Sequence, residues 1–460
     1  MSEISKKEPK GLALLPLLVF IGIYLGAGLV LDIQGMDMAF YQFPSPVAIL
    51  IGVVVAFIIF KGTIEEKFSM FVRGCGHENV LTMCFIYLFA GAFATVAKNM
   101  GGVDSVVNWG LSIIPAEYIT AGLFVMAAFI AVATGTSMGT IGAVGPIAIA
   151  TAQKAGLSPS LVVAAIVGGA MFGDNLSVIS DTTIAATKTQ GVNMSDKFKV
   201  NFMIALPPAV ITIVLLLIFG QPDHPIPLEN LEFSVIKIIP YLVVLILALA
   251  GFNVFLTLGI GILVAGAIGI GYGDLNILTW AQGIYSGFNG MIEIFLLSLM
   301  AGGLAHMVTE NGGLEWLIRK IKRFIRGEKT AEIGIATISS LADCAIANNT
   351  IAIIITGGIA RELCEKYHVD PRKSASLLDI WACIFQGFLP YGAQILLAVS
   401  LTADTSKLSP LDVIPLLWYQ MLLALFAILS IFIPYDRLLI KKHPWNFKTW
   451  KAEKEGVIRK

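Results

Sequence analysis

Apolar runs close to the ~20 residues that a helix needs to cross a bilayer recur along this chain, separated by short polar breaks. They fall at 11–31, 45–60, 80–97, 203–219, 232–250, 254–272, 291–309 and 411–434. Runs of that length predict helices, since buried strands span only about 4–8 residues. Two longer regions, 119–187 and 331–402, are also apolar but are interrupted by Gly, Pro, Asn and Asp. The sharpest interruption is GDNLSVISDTT (173–183), set between LVVAAIVGGAMF and IAATKTQG. It holds two carboxylates, one amide and four hydroxyls in eleven residues. The pattern predicts an all-α polytopic membrane protein with helices broken near the bilayer midplane.

Composition agrees with the pattern and excludes a soluble fold. The chain has 460 residues, 57% apolar and 13% charged, against about 25% charged in soluble domains. The first apolar run is too long for the ~7–15-residue core of a cleaved signal peptide, so a retained helix is expected. The lipid bilayer is then the main partner. Net charge is zero, which gives no reason to expect a nucleic-acid partner. Cys75, Cys84, Cys344, Cys364 and Cys383 show no CxxC spacing and read as small buried thiols. No cofactor is expected.

Lys and Arg set the expected orientation. They cluster in 1–10, 61–79, 188–199 (Lys188, Lys197, Lys199), 319–329, 361–373 and the tail from Arg437, whereas 32–44, 220–231 and 273–290 contain none. Both termini are therefore expected on the cytoplasmic side of the cell (inner) membrane. Segment 331–360 is about one membrane thickness in residues, yet it is flanked by basic residues on both sides, which a single crossing does not allow. It reads as a re-entrant hairpin with its tip at ADCAIANNT (342–350); irregular backbone at that depth has to be buried in protein or line a cavity.

An internal repeat follows. Ala90-Gly91 matches Ala301-Gly302, Gly101-Gly102 matches Gly312-Gly313, Thr140-Ile141 matches Thr350-Ile351, Ile147-Ala148 matches Ile359-Ala360, Pro159 matches Pro371 and Phe172 matches Phe385. The register stays constant within a few residues. By the charge rule the two copies run in opposite directions, so inverted repeats are expected at 1–220 and 232–436, with a cytoplasmic tail at 437–460. The first copy holds a hairpin at 119–153, tip ATGTSMGT (133–140), and a broken crossing at 160–187. The second holds the hairpin 331–366 and a broken crossing at 374–402. The expected total is ten crossings and two hairpins, the organisation of a secondary transporter with a midplane site.

In that frame Asp174 lies deepest. An ionised, unpaired carboxylate there costs several kcal/mol, so it is expected to carry a proton, pair with a cation or face a hydrated cavity. Such a group exchanges a proton for a metal ion by competition. Hard cations such as Na+ take oxygen ligands, and Asp174, Asn175, Ser177, Ser180, Asp181, Thr182 and Thr183 supply them. Asp174 and Asp181 either share one face of a continuous helix or flank a local opening. The hairpin tips add Thr134, Thr136, Ser137 and Thr140 on one side and Asp343, Asn348, Asn349 and Thr350 on the other. Asp379, Gln386 and His306 are further candidates for substrate or proton contact; the stretch QGFLPYGAQ (386–394) is the repeat partner of GDNLSVISDTT but lacks its acid. Glu293 and Glu310 read as interfacial.

The stretches FGDNLSVISDTT, ATGTSMGTIGAVGP and AGGLAHMVTENGGL resemble the NhaC family of Na+/H+ antiporters, within a superfamily of ion transporters built from inverted repeats and re-entrant hairpins. The resemblance implies Na+ at Asp174, exchange for protons, an elevator-like motion and a homodimer. Asn175 stands where many members carry Lys. Two readings remain open: Na+/H+ antiport, or Na+- or H+-coupled transport of a small organic solute such as an amino acid or carboxylate. An enzyme is not expected. The GxGD signature of intramembrane aspartyl proteases fails, because Met171-Phe172-Gly173 precedes Asp174.

Overall fold

The computed structural model describes residues 10–34, 36, 42–177, 180–222, 232–250, 252–403, 405–438, 444–447 and 450. The expected basic amino-terminal segment, parts of the basic-free segments 32–44 and 220–231, and most of the tail lie outside these residues. The described chain is all-helical. In order come α1 (Leu15–Ile33), α2 (Ser45–Ile59), α3 (Ile64–Cys75), α4 (Glu78–Asn99), α5 (Gly102–Ile113), α6 (Ala116–Thr134) and α7 (Ser137–Ala155). Next are α8 (Pro159–Leu176), α9 (Asp181–Gln190), α10 (Met194–Phe219), α11 (Val235–Leu249), α12 (Val254–Tyr272), α13 (Ile277–Gly290) and α14 (Ile292–Glu310). The remainder are α15 (Gly313–Lys322), α16 (Glu328–Ile346), α17 (Asn349–Tyr367), α18 (Pro371–Phe388), α19 (Ala393–Ser400) and α20 (Trp418–Phe432).

Among the described residues, seven segments are long and apolar enough to cross a membrane: Gly11–Gly28, Val80–Asn99, Pro159–Gln190, Met194–Phe219, Val254–Tyr272, Ile292–Glu310 and Pro371–Ser400. Two bent helix pairs raise the number to nine at most. One is Pro410–Leu416 with Trp418–Phe432. The other, Gly102–Ile113 with Ala116–Val132, turns through 115°. Of the ten crossings expected, those at α2 and α11 are shorter apolar helices of 15 residues each. Their apolar runs include residues outside the helix, such as Phe60, which is extended at φ −78°, ψ 144°.

The order of α4–α9 recurs in α14–α19, with equal lengths in the hairpin arms and in α8 and α18. Both hairpins, α6–α7 and α16–α17, have 19 residues in each arm. Both α8 and α18 have 18 residues and start with proline. A residue with positive φ ends the first arm of each hairpin, Gly135 at 70° and Ala347 at 53°. A polar N-cap then starts the second arm: Thr136 accepts from Gly139 N at 3.2 Å and Asn348 from Ile351 N at 3.0 Å. These caps satisfy backbone donors that a helix end would otherwise leave bare inside the protein.

The broken segments are interior. Of the hydrophobic window in Pro159–Gln190, 94% is buried, and 83% in Pro371–Ser400, whereas Met194–Phe219 is 33% buried and turns much of its surface outward. Exposed Leu18, Ile58, Phe129, Ile218 and Leu263 suit contact with lipid tails. Glycines allow the closest approaches. A Cβ on Gly169 would lie 2.2 Å from Phe124 O, and one on Gly173 2.3 Å from Ala128 O, so this pair seats α8 directly on the α6 backbone. Gly91 and Gly287 do the same for α4 and α13.

The end of the described chain returns to the interior unit. Trp450 is buried, and its Nε1 donates to Gln190 O at 3.0 Å. The Arg361 guanidinium lies 4.6 Å from the Trp450 ring, and Arg372 lies 5.3 Å from Trp445. Lys373 on α18 pairs with buried Asp436 at 2.9 Å.

Candidate functional site

The polar stretch is where one interior helix stops and another begins. The α8 helix continues through Gly173, Asp174 and Asn175 to Leu176, and Ser177 leaves it with extended backbone (φ −65°, ψ 133°). Ser180 is the N-cap of α9, which starts at Asp181. Short polar side chains that compete for backbone groups favour such a break. Asp174 and Asp181 thus flank an opening, and the arrangement on one face of a continuous helix does not occur. In the second half, α18 ends at Phe388 and α19 starts at Ala393, with Gln386 in the last turn before that break.

The breaks and both hairpin tips meet at a cavity of about 490 Å³. Its polar lining includes Ser137, Asp174, Asp181, Thr350, Gln386 and Gln394. Phe85, Met138 and Phe255 supply apolar walls, and no Lys, Arg or His lies among its described lining residues. The Asp174 side chain is 4% exposed. Its Oδ2 accepts from Ser137 Oγ at 2.8 Å and from Ser137 N at 3.3 Å, and its Oδ1 accepts from Ser180 Oγ at 2.5 Å. Asp181 is open to the cavity; its Oδ2 accepts from Thr350 Oγ1 at 2.6 Å, and its Oδ1 accepts from Thr182 N at 2.9 Å. Each acid of the first break is therefore held by one hairpin tip, Asp174 by the α7 end and Asp181 by the α17 end. Thr182 Oγ1 lies 2.9 Å from Ser180 Oγ and completes this hydroxyl cluster.

In the second half the acid beside the break is on the hairpin arm. Asp343, fully buried on α16, faces Gln386. With its nitrogen toward the carboxylate, Gln386 donates to Oδ1 at 2.9 Å and Oδ2 at 3.1 Å and accepts from Ala393 N at 3.2 Å. Turned over, the same nitrogen reaches Ala347 O at 3.4 Å. An ionised Asp343 selects the first orientation, and a protonated one donates to the amide oxygen in the second. Next along the chain, Gln394 Nε2 donates to Ser137 Oγ at 3.1 Å, which links this region to Asp174.

Asp379 does not face the cavity. It is 0% exposed and pairs with Lys197 on α10, itself 1% exposed, at 2.5 Å. Asn201 Nδ2 also donates to it at 3.0 Å. Lys197 was expected in a cytoplasmic loop; α10 starts at Met194 and carries it inside. Both Lys197 Nζ and Asn201 Nδ2 reach the Asn175 carbonyl, at 3.0 and 2.9 Å, and Lys197 also donates to Thr183 Oγ1 at 2.7 Å. So Asn175 and Thr183 face this pair, not the cavity. The sequence offered little sign of Lys197: three lysines in 188–199 resemble a solvated loop. Gln394 was quoted in the repeat partner of the polar stretch, and only its folded position singles it out.

The other candidates disperse. His306 lines a separate cavity of about 60 Å³ with His77. Thr134 lines a void of about 10 Å³ behind the first tip, and its hydroxyl has no hydrogen-bond partner. Thr140 bonds back to Thr136 O at 2.9 Å, and Ser177 N to Gly173 O at 2.9 Å. Asn349 Oδ1 accepts from Thr350 N at 2.9 Å and lines the main cavity beside Asn348. Glu293 accepts from Ser45 Oγ at 3.0 Å.

The sequence pattern of the Na+/H+ antiporter family matches the chain over residues 3–221 and 226–434. Among curated proteins, the Na+/H+ antiporter NhaC of Alkalihalophilus pseudofirmus is 23% identical, over 93% of this chain and 96% of its own length. The malate-2H+/Na+-lactate antiporter of Bacillus subtilis is 24% identical, over 83% of this chain and 86% of its own. Among solved structures, the Alcanivorax borkumensis YdaH transporter aligns over 93% of this chain and 99% of its own, at 11% identity and a TM-score of 0.41. The match covers both halves of the chain and every helix of the site: this polytopic membrane protein belongs to the Na+/H+ antiporter family.

Proposed function

We propose that the chain exchanges Na+ for protons at Asp174 by alternating access, with Asp181 as the second acid of the site. The observation that carries this reading is the setting of Asp174: a buried carboxylate at a helix break, bonded by Ser137 and Ser180, opening on a cavity without a basic side chain. A proton or a hard cation satisfies that carboxylate equally well, so the two compete. Ser137, Ser180 and Asp181 add oxygens around it. In this reading the hairpins and broken segments form the moving unit, the inverted repeats provide its two faces, and both termini are cytoplasmic.

The test is reconstitution. Asp174→Asn is expected to abolish Na+-driven proton movement in proteoliposomes, and full exchange by that variant sinks the assignment. A second reading has one observation behind it: a cavity of about 490 Å³ is far larger than a bare cation. A small organic solute fits, with its amine toward Asp181 or its carboxylate bridged by Na+. Uptake of labelled amino acids and carboxylates, recorded together with internal pH, separates the two.

A further inference from the structure

The Lys197 ammonium sits in a cage of oxygens drawn from three elements. Asp379 Oδ2 on α18 lies at 2.5 Å, Thr183 Oγ1 on α9 at 2.7 Å and Asn175 O in the last turn of α8 at 3.0 Å. All three residues are buried, as is Lys197. Asn201 braces two of these oxygens through its amide nitrogen, at 3.0 Å from Asp379 Oδ2 and 2.9 Å from Asn175 O, while Ser376 Oγ donates to its amide oxygen. A carboxylate, a hydroxyl and a carbonyl from the end of a broken helix form the donor set that a dehydrated monovalent cation takes. A lysine ammonium is a compact point charge that suits the same place.

We propose that this cage is a second monovalent-cation site and that Lys197 is its resident, tethered cation. The cage residues do not line the cavity, so the α8–α9 break serves two separate cation positions. One is open to Na+ and the other is permanently filled from within the chain. Asp379 is neutralised without a transported ion, and Na+ is confined to the Asp174 cavity. The inference deepens the cation-exchange reading of Asp174 and rests on it for its role in transport; the cage itself is tested by stability, with Asp174 silenced.

Four chains, all carrying Asp174→Asn, are purified in detergent: that single variant, and its combinations with Lys197→Met, with Asp379→Asn, and with both. Thermal unfolding is followed from low to high NaCl, with choline chloride holding ionic strength constant. Methionine keeps most of the lysine's length and vacates only the ammonium position. The Lys197→Met chain leaves a buried anion in an oxygen cage and is expected to gain several degrees as Na+ fills it. The chain with both changes has no net charge in the cage and is expected to show no such gain. An equal Na+ response in all four leaves Lys197–Asp379 as a structural ion pair and overturns the proposal. So does a Lys197→Met chain that stays unfolded at high NaCl while the chain with both changes folds.

Discussion

At the scale of single residues, the site separates groups that the sequence could only pool. Asp174 and Asp181 share one cavity, and each is held by a different hairpin tip through a hydroxyl. Ser137→Ala removes the hydrogen bond to Asp174 and the acceptor of Gln394. Hydrogen bonds to charged groups contribute about 1.5–3 kcal/mol, so the KM for Na+ is expected to rise roughly tenfold, with a much smaller change in maximal rate. Thr350→Val acts on Asp181 alone and is expected to raise the Na+ KM less, since Asp174, the acid proposed to take the ion, keeps its bonds from Ser137 and Ser180. Na+-dependent exchange titrated in proteoliposomes checks both, and an unchanged KM in Ser137→Ala rules out Ser137 as a partner of the ion-binding acid. The buried position of Asp174 at a helix break was legible from a carboxylate within so apolar a run. The pairing of Asp379 with Lys197 was not, because the two stand 182 residues apart and only the packing of α10 against α18 joins them. Asp343 was legible as a polar tip residue, but its Gln386 partner depends on the register of two helices.

At the scale of elements, the breaks and hairpins were legible as interruptions of hydropathy, and their boundaries lie within a few residues of expectation. Hydropathy leaves the shortest elements less sharply defined: α2 and α11 are apolar helices of only 15 residues. The two tips make a further prediction from their backbone. Ala347 holds a positive φ that the corresponding Gly135 adopts without penalty. A left-handed residue bearing a Cβ costs about 1–2 kcal/mol, partly offset by glycine's greater freedom when unfolded. Ala347→Gly is therefore expected to stabilise the protein by about 0.5–1 kcal/mol, and Gly135→Ala to destabilise it by about 1 kcal/mol. Melting curves of the two variants in one detergent check the opposite signs. The Gly169–Gly173 seat of α8 on α6 is less forgiving: Gly169→Val drives a side chain into the Phe124 carbonyl. Loss of folded protein on size-exclusion chromatography is the expected outcome.

At the scale of the whole molecule, the proposal of two repeats rests on the constant register of matched residues, and the direction in which each copy runs rests on the distribution of Lys and Arg. Single cysteines placed at Lys61 and Asp274 in a cysteine-free background test that direction: an impermeant maleimide added to intact cells is expected to label position 274 and spare 61. Labelling of 61 alone reverses the orientation. The docking of Trp450 on Gln190 has a consequence for how the protein is made. The two residues are 260 positions apart, so the ribosome has released the whole second half before the α9 end gains this partner. Until then the far end of α9, the half-helix bearing Asp181, is held through Gln190 by Gly357 O at 2.8 Å and Ser374 Oγ at 3.0 Å, and the Trp450 contact is the last to be added. Removing residues 445–460 is expected to leave membrane insertion intact while hastening degradation of the newly made chain, which a pulse–chase measurement resolves. The docking of Trp450 would then act as a latch, closed late, that secures a bundle already inserted.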